Sequence, residues 1–186
     1  LHSDRPNPTR FFQIWLNLPP EHKMVPPAFV MHWASQIATV RHESNASVIV
    51  WAGELLGATP LAPPPDSWAA RPEHAVAVWF VSLPAGGSTI TLPAVNTTLV
   101  GDVNRAIYVL EGEEMTVGGE PLRGRSTCRL DPTKSAVLRG PAGINAPTVE
   151  ALVLQGRPIG APVAQRGPFV MNTQAEIKQA YADYQR

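Results

Sequence analysis

Apolar side chains come in short runs along this chain, and proline and glycine cut the runs apart. The longest run is Ala75–Leu83 (AVAVWFVSL), followed by a Pro84-Ala85-Gly86-Gly87 turn and a second run at Ser88–Leu92. Val48–Trp51, Arg105–Leu110, Met115–Val117, Ser135–Leu138 and Val149–Leu154 repeat the pattern. Short apolar, β-branched runs bounded by turn residues predict β-strands. The glycines at 53, 112, 118, 119 and 156 fall where turns need backbone freedom. Earlier in the chain, Phe11–Leu18 alternates. Phe12, Ile14, Leu16 and Leu18 take one face; Phe11, Gln13, Trp15 and Asn17 take the other. Phe29–Met31 and Ile37–Val40 are further strand candidates. Residues 58–74 are proline-rich, cannot hold a sheet ladder, and predict an excursion over the surface.

The period changes at the C-terminus. Thr173 and Glu176 have capping-box spacing, and Ile177, Ala180, Tyr181 and Tyr184 follow as one apolar stripe. This predicts a helix from about Asn172 to Tyr184. Its stripe requires a surface, either its own domain or a partner. Many short strands with glycine and proline turns give an all-β sandwich or small barrel closed by this helix.

Composition narrows the function. Fifteen basic and fifteen acidic residues leave no net charge, which argues against direct nucleic-acid binding through a basic stripe. One cysteine, Cys128, excludes an intrachain disulfide and a cysteine-rich zinc site; its expected role is a small, half-buried side chain. No apolar run approaches the roughly 18 residues of a transmembrane segment. The expectation is a soluble intracellular protein, with cytoplasm, nucleus and organelle equally open.

The histidines concentrate the candidate chemistry. His2 and Asp4 lie two apart, so an extended segment would aim both the same way, and imidazole plus carboxylate suits a non-haem iron or similar ion. The alternative is a solvated chain end. Two ligands are too few for such a centre, so the pair reads as the tail of a metal site and the chain as the C-terminal part of a larger protein. His22, His32, His42 and His74 have no ligand spacing, and no histidine follows His74. Residues 75–186 therefore cannot form an imidazole-based centre. The carboxylates Glu111, Glu113 and Glu114 surround a glycine and are expected at a solvated hairpin tip. Trp15, Trp33, Trp51, Trp68 and Trp79 are expected in core and inter-barrel packing.

Four stretches carry a family resemblance. Phe12-Gln13-Ile14-Trp15-Leu16-Asn17-Leu18-Pro19 with His22-Lys23-Met24 resembles the end of the pirin N-terminal domain. Val50-Trp51-Ala52-Gly53-Glu54-Leu55-Leu56-Gly57 is similar to the segment opening the second pirin domain. Gly167-Pro168-Phe169-Val170-Met171-Asn172-Thr173 with Glu176-Ile177 is similar to the pirin C-terminal signature, and the Tyr108–Gly119 hairpin to the matching cupin hairpin. The resemblance implies a bicupin arrangement of two β-barrels. Residues 1–40 would be the closing strands of the first barrel, 41–165 a metal-free C-terminal cupin barrel, and 166–186 a segment and helix packing on the barrels.

In the family the first barrel binds one iron through a His-x-His pair and a later His-x-Glu pair. His2 and Asp4 fall on the second pair, with Asp in place of Glu, and no His-x-His occurs in this chain. The resemblance thus implies iron in a longer protein and none in this chain alone. It implies a binding or interaction module whose partner is the N-terminal cupin half or another protein chain. It also leaves open an iron-dependent quercetin 2,3-dioxygenase-like enzyme, a redox-responsive transcription cofactor, and a structural subunit of a larger assembly.

Overall fold

A computed structural model describes residues 2–185, and two antiparallel sheets face each other across one core. Twelve strands form: β1 (Thr39–Arg41), β2 (Ser47–Ala52), β3 (Ala77–Leu83), β4 (Thr89–Leu92), β5 (Asn104–Glu111) and β6 (Glu114–Val117), then β7 (Glu120–Arg123), β8 (Thr127–Leu130), β9 (Ala136–Arg139), β10 (Val149–Gly156), β11 (Ala164–Arg166) and β12 (Phe169–Met171). The larger sheet runs β1-β2-β3-β10-β5-β8, the smaller β4-β9-β6-β7, and β11-β12 form a separate hairpin. Among the described residues there are two α-helices, the single turn α1 (Thr97–Val100) and α2 (Gln174–Tyr184). The architecture is the all-β cupin fold with a small C-terminal helix.

Alternation decides which side chains meet. In β3, Ala77, Trp79, Val81 and Leu83 point inward and are buried, while Val78, Phe80 and Ser82 lie on the outer face. β10 sits between β3 and β5, with Val153 opposite Trp79 on one side and Ile107 on the other. Ile90, Leu92, Met115 and Leu138 of the smaller sheet fill the space opposite.

The residues before β1 depart from expectation. Phe11–Leu18 and Phe29–Met31 join no strand, although their pattern predicted two. A strand's backbone polar groups need a neighbouring strand or water, and among the described residues no neighbour is offered. The proline-rich stretch is an excursion, as predicted. It is tied down by 3-10 turns at 68–70 and 72–74, with the Trp68 indole donating to Arg157 O at 2.9 Å. α2 starts where its capping box predicts: Thr173 N donates to Glu176 Oε2 at 2.7 Å and Glu176 N donates to Thr173 Oγ1 at 3.2 Å. Ile177 is buried, and Tyr181 meets Phe169 of β12 edge-on at 4.8 Å, so the stripe docks on its own chain.

Candidate functional site

The His2–Asp4 stretch does not have the geometry that the sequence argument assumed. Residues 3–5 form a bend, so the same-side rule of an extended strand does not apply. Both residues are exposed, and His2 Nε2 accepts from Arg5 Nη2 at 2.7 Å, which occupies one of its two ring nitrogens. Among the described residues, no three His, Cys, Asp or Glu side chains converge as a metal site would require. The residues present therefore do not make an iron site by themselves. The remaining histidines are engaged locally: His22 with Asp66 O, His32 with Ala62 O, His42 with Ser44, and His74 with Trp68 O while stacked on the Trp68 ring. Glu111, Glu113 and Glu114 are exposed at the β5–β6 hairpin, as predicted.

One end of the barrel holds a cavity of about 400 Å³. The proline-rich excursion supplies part of its wall through Ala70 and Pro72, and the barrel supplies Val76, Trp79, Arg105 and Gln155. Arg105 shares the inward face of β5 with Ile107 and Val109 and is only 2% exposed. Its Nε donates to Gln155 Oε1 at 2.7 Å, and Gln155 Nε2 donates in turn to Ala75 O at 2.8 Å. The guanidinium lies 6.0 Å from the Trp79 ring centre, within cation–π range. Its Nη1 is buried and has no acceptor. Burial lowers the Arg105 pKa, but a guanidinium starts so high that it keeps its charge. No salt bridge to Arg105 forms among the described residues. The sequence reading missed this residue.

The outer face of the larger sheet presents a second surface. Phe12 crosses it and packs against Trp51 and Phe80 at ring separations of 6.0 and 5.8 Å. Arg10 lies over the Phe12 and Phe80 rings and pairs with Glu150 at 2.5 Å. Beyond that anchor the segment is apolar and open: Phe11 is 77% exposed, Met24 80% and Phe29 80%. A groove of about 610 Å³ runs between Ile14–Leu18 and the β11–β12 hairpin, lined by Trp15, Leu16, Val170 and Met171. Lys23 closes one end through a hydrogen bond to Asn17 Oδ1, and desolvation there lowers its pKa despite the nearby Glu176 carboxylate.

The family model of the pirin C-terminal cupin domain matches residues 87–186, more than half of the chain. The chain belongs to the pirin family. Pirin-1 of Arabidopsis thaliana is 30% identical over all of this chain, which covers 60% of that relative. A Pseudomonas aeruginosa protein, named provisionally as a quercetin 2,3-dioxygenase, is 31% identical over 99% of the chain and 62% of its own length. The chain thus spans about three fifths of the relatives it matches. A crystal structure of quercetin 2,3-dioxygenase from Acinetobacter baumannii superposes with a TM-score of 0.73 at 28% identity, covering 91% of this chain and 53% of that one. This pirin chain also has no helix, among the described residues, long and apolar enough to cross a membrane.

Proposed function

We propose that this chain is the binding half of a pirin-type two-barrel protein. In this reading residues 1–40 belong to the closing side of an N-terminal cupin barrel, 41–165 form a metal-free barrel, and 166–186 brace the two. The observation that carries it is the pair of apolar stretches Phe11–Leu18 and Phe29–Met31 with the loop between them. The Phe11–Leu18 part alternates like a strand, neither it nor Phe29–Met31 finds a strand partner among the described residues, and Phe11, Trp15, Met24 and Phe29 are left largely in water. An exposed apolar surface of this extent marks an interaction face. The occupant that fits is the β-sheet remainder of a cupin barrel, which would pair the extended backbone and cover the side chains together. Co-expression with a pirin N-terminal cupin domain tests the reading. A stable one-to-one complex, lost when Trp15 and Phe29 are both changed to Asp, is the expected result. Failure of the two to associate contradicts it.

A second reading is favoured by the similarity to the Acinetobacter baumannii enzyme. The assembled protein would then be an iron-dependent quercetin 2,3-dioxygenase-like enzyme, with His2 and Asp4 donating one of two ligand pairs. The ion would supply Lewis-acid and dioxygen chemistry. This chain's part would be to release His2 from Arg5 and hold both donors in place. Iron-dependent consumption of quercetin by the complex, abolished by His2→Ala, supports this reading. A complex that binds iron and leaves quercetin unchanged contradicts it.

A further inference from the structure

Neither His2 nor Asp4 lines the Arg105 cavity, and its reading does not depend on the two-barrel proposal. A fixed positive charge stands inside an apolar barrel, 2% exposed; among the described residues no carboxylate lies within salt-bridge distance of it, and its Nη1 has no acceptor. Burying an ion this way is costly unless a counter-charge and hydrogen-bond acceptors come with it. What this chain provides is a single amide oxygen, from Gln155, and the face of Trp79. A guanidinium is shaped to grip a planar anion with two parallel N–H groups.

The walls limit what that anion can be. Val76, Trp79, Pro60 and Val95 offer apolar and aromatic surface. Among the ionisable groups of the wall, Arg71 and Arg105 set against Glu54 leave one net positive charge. The volume of about 400 Å³ is at the small end of ligand pockets, which span roughly 300–1,000 Å³. A bare inorganic oxyanion would leave the apolar wall unused, and a dianion would meet Glu54.

We propose that this cavity binds a small organic monocarboxylate, with its carboxylate on the Arg105 guanidinium and its apolar body against Trp79 and Val76. Gln155 is a positioning residue: its amide bridges Arg105 Nε and Ala75 O and holds the guanidinium against the β3–β10 seam.

Calorimetric titration of the whole chain with benzoate tests this, with benzamide as the neutral isostere and inorganic phosphate as the oxyanion without an apolar body. Benzoate is expected to saturate one site with Kd below about 1 mM, and benzamide and phosphate to bind at least about tenfold more weakly. Benzoate is also expected to shift the Arg105 Nε–Hε resonance. Arg105→Met should weaken benzoate at least about tenfold. Ala94→Trp, at an exposed position on the cavity wall, should do the same without touching the buried arginine. That variant decides the matter if Arg105→Met fails to fold. Absence of saturation, equal binding of benzamide or phosphate, or unchanged affinity in Ala94→Trp would overturn the proposal.

Discussion

Gly53 ends β2 with φ +71°, and a Cβ there would lie 2.5 Å from the Val76 carbonyl oxygen and 2.7 Å from the Ala77 Cβ. The obstruction is backbone and cannot rotate away. The Gly53 carbonyl also accepts the Trp79 indole N–H at 3.0 Å, so displacing it disturbs the cavity wall. Gly53→Ala is expected to cost about 2–4 kcal/mol in urea unfolding, since left-handed strain and a backbone clash add. A loss under about 0.5 kcal/mol would mean the strand end relaxes freely. The glycine was readable as the end of the Val48–Trp51 run. Arg105 carried a signal too: in Arg105-Ala106-Ile107-Tyr108-Val109, an arginine takes the place of an inward apolar residue. Its burial could not be read, because the wall covering it comes from residues 69–76, and their fold is not written in any local pattern. The Cys128 reading was simpler: its thiol is half-buried, and desolvation raises its pKa.

Helix α2 joins local coding to tertiary packing. Ile177 is 1% exposed, so Ile177→Asp would place an unpaired charge in apolar surroundings and is expected to lose about 2–4 kcal/mol. A loss under about 0.5 kcal/mol would mean the stripe is not docked. The cap adds a pH dependence. The Glu176 carboxylate accepts from the Thr173 hydroxyl and from the Asn172 and Thr173 backbone N–H groups, and these bonds hold its pKa below the usual 4.5. A carboxylate depressed in the folded state stabilises fully above its unfolded pKa, and the contribution fades as pH falls through the folded one. Thermal unfolding should therefore separate wild type from Glu176→Ala near neutrality and bring them together in strong acid. A separation that persists there would assign the difference to something other than the ionised cap. This helix was legible because its cap and stripe are contained in twelve residues, Thr173 to Tyr184. Strands β7 and β8 were not. Glu-Pro-Leu-Arg and Thr-Cys-Arg-Leu are short and mixed in polarity, and each lies on a sheet edge where one neighbour, β6 or β5, makes it a strand.

Across the whole molecule, the strand-and-turn series after residue 75 was enough to predict an all-β sandwich or barrel, because these strands find their partners within this chain. Before β1 the same rule predicted strands that do not form, because strand pairing belongs to two segments and the sequence shows only one. The exposed residues of Phe11–Leu18 and Phe29–Met31 and the bent His2–Asp4 stretch are what the proposal above rests on, and in that reading the apolar segments and the donor pair act against a second cupin barrel. Iron content by mass spectrometry tests that reading most directly, on this chain alone and on the same chain joined to an N-terminal cupin segment carrying His-x-His. The account predicts less than about 0.1 iron per molecule for the chain alone, because two donors at a bent terminus are too few and costly to order. It predicts about one iron per molecule with the added segment, weakened by His2→Ala and strengthened by Asp4→Glu, whose longer side chain restores reach. Stoichiometric iron in the chain alone, or none in the joined protein, would contradict it.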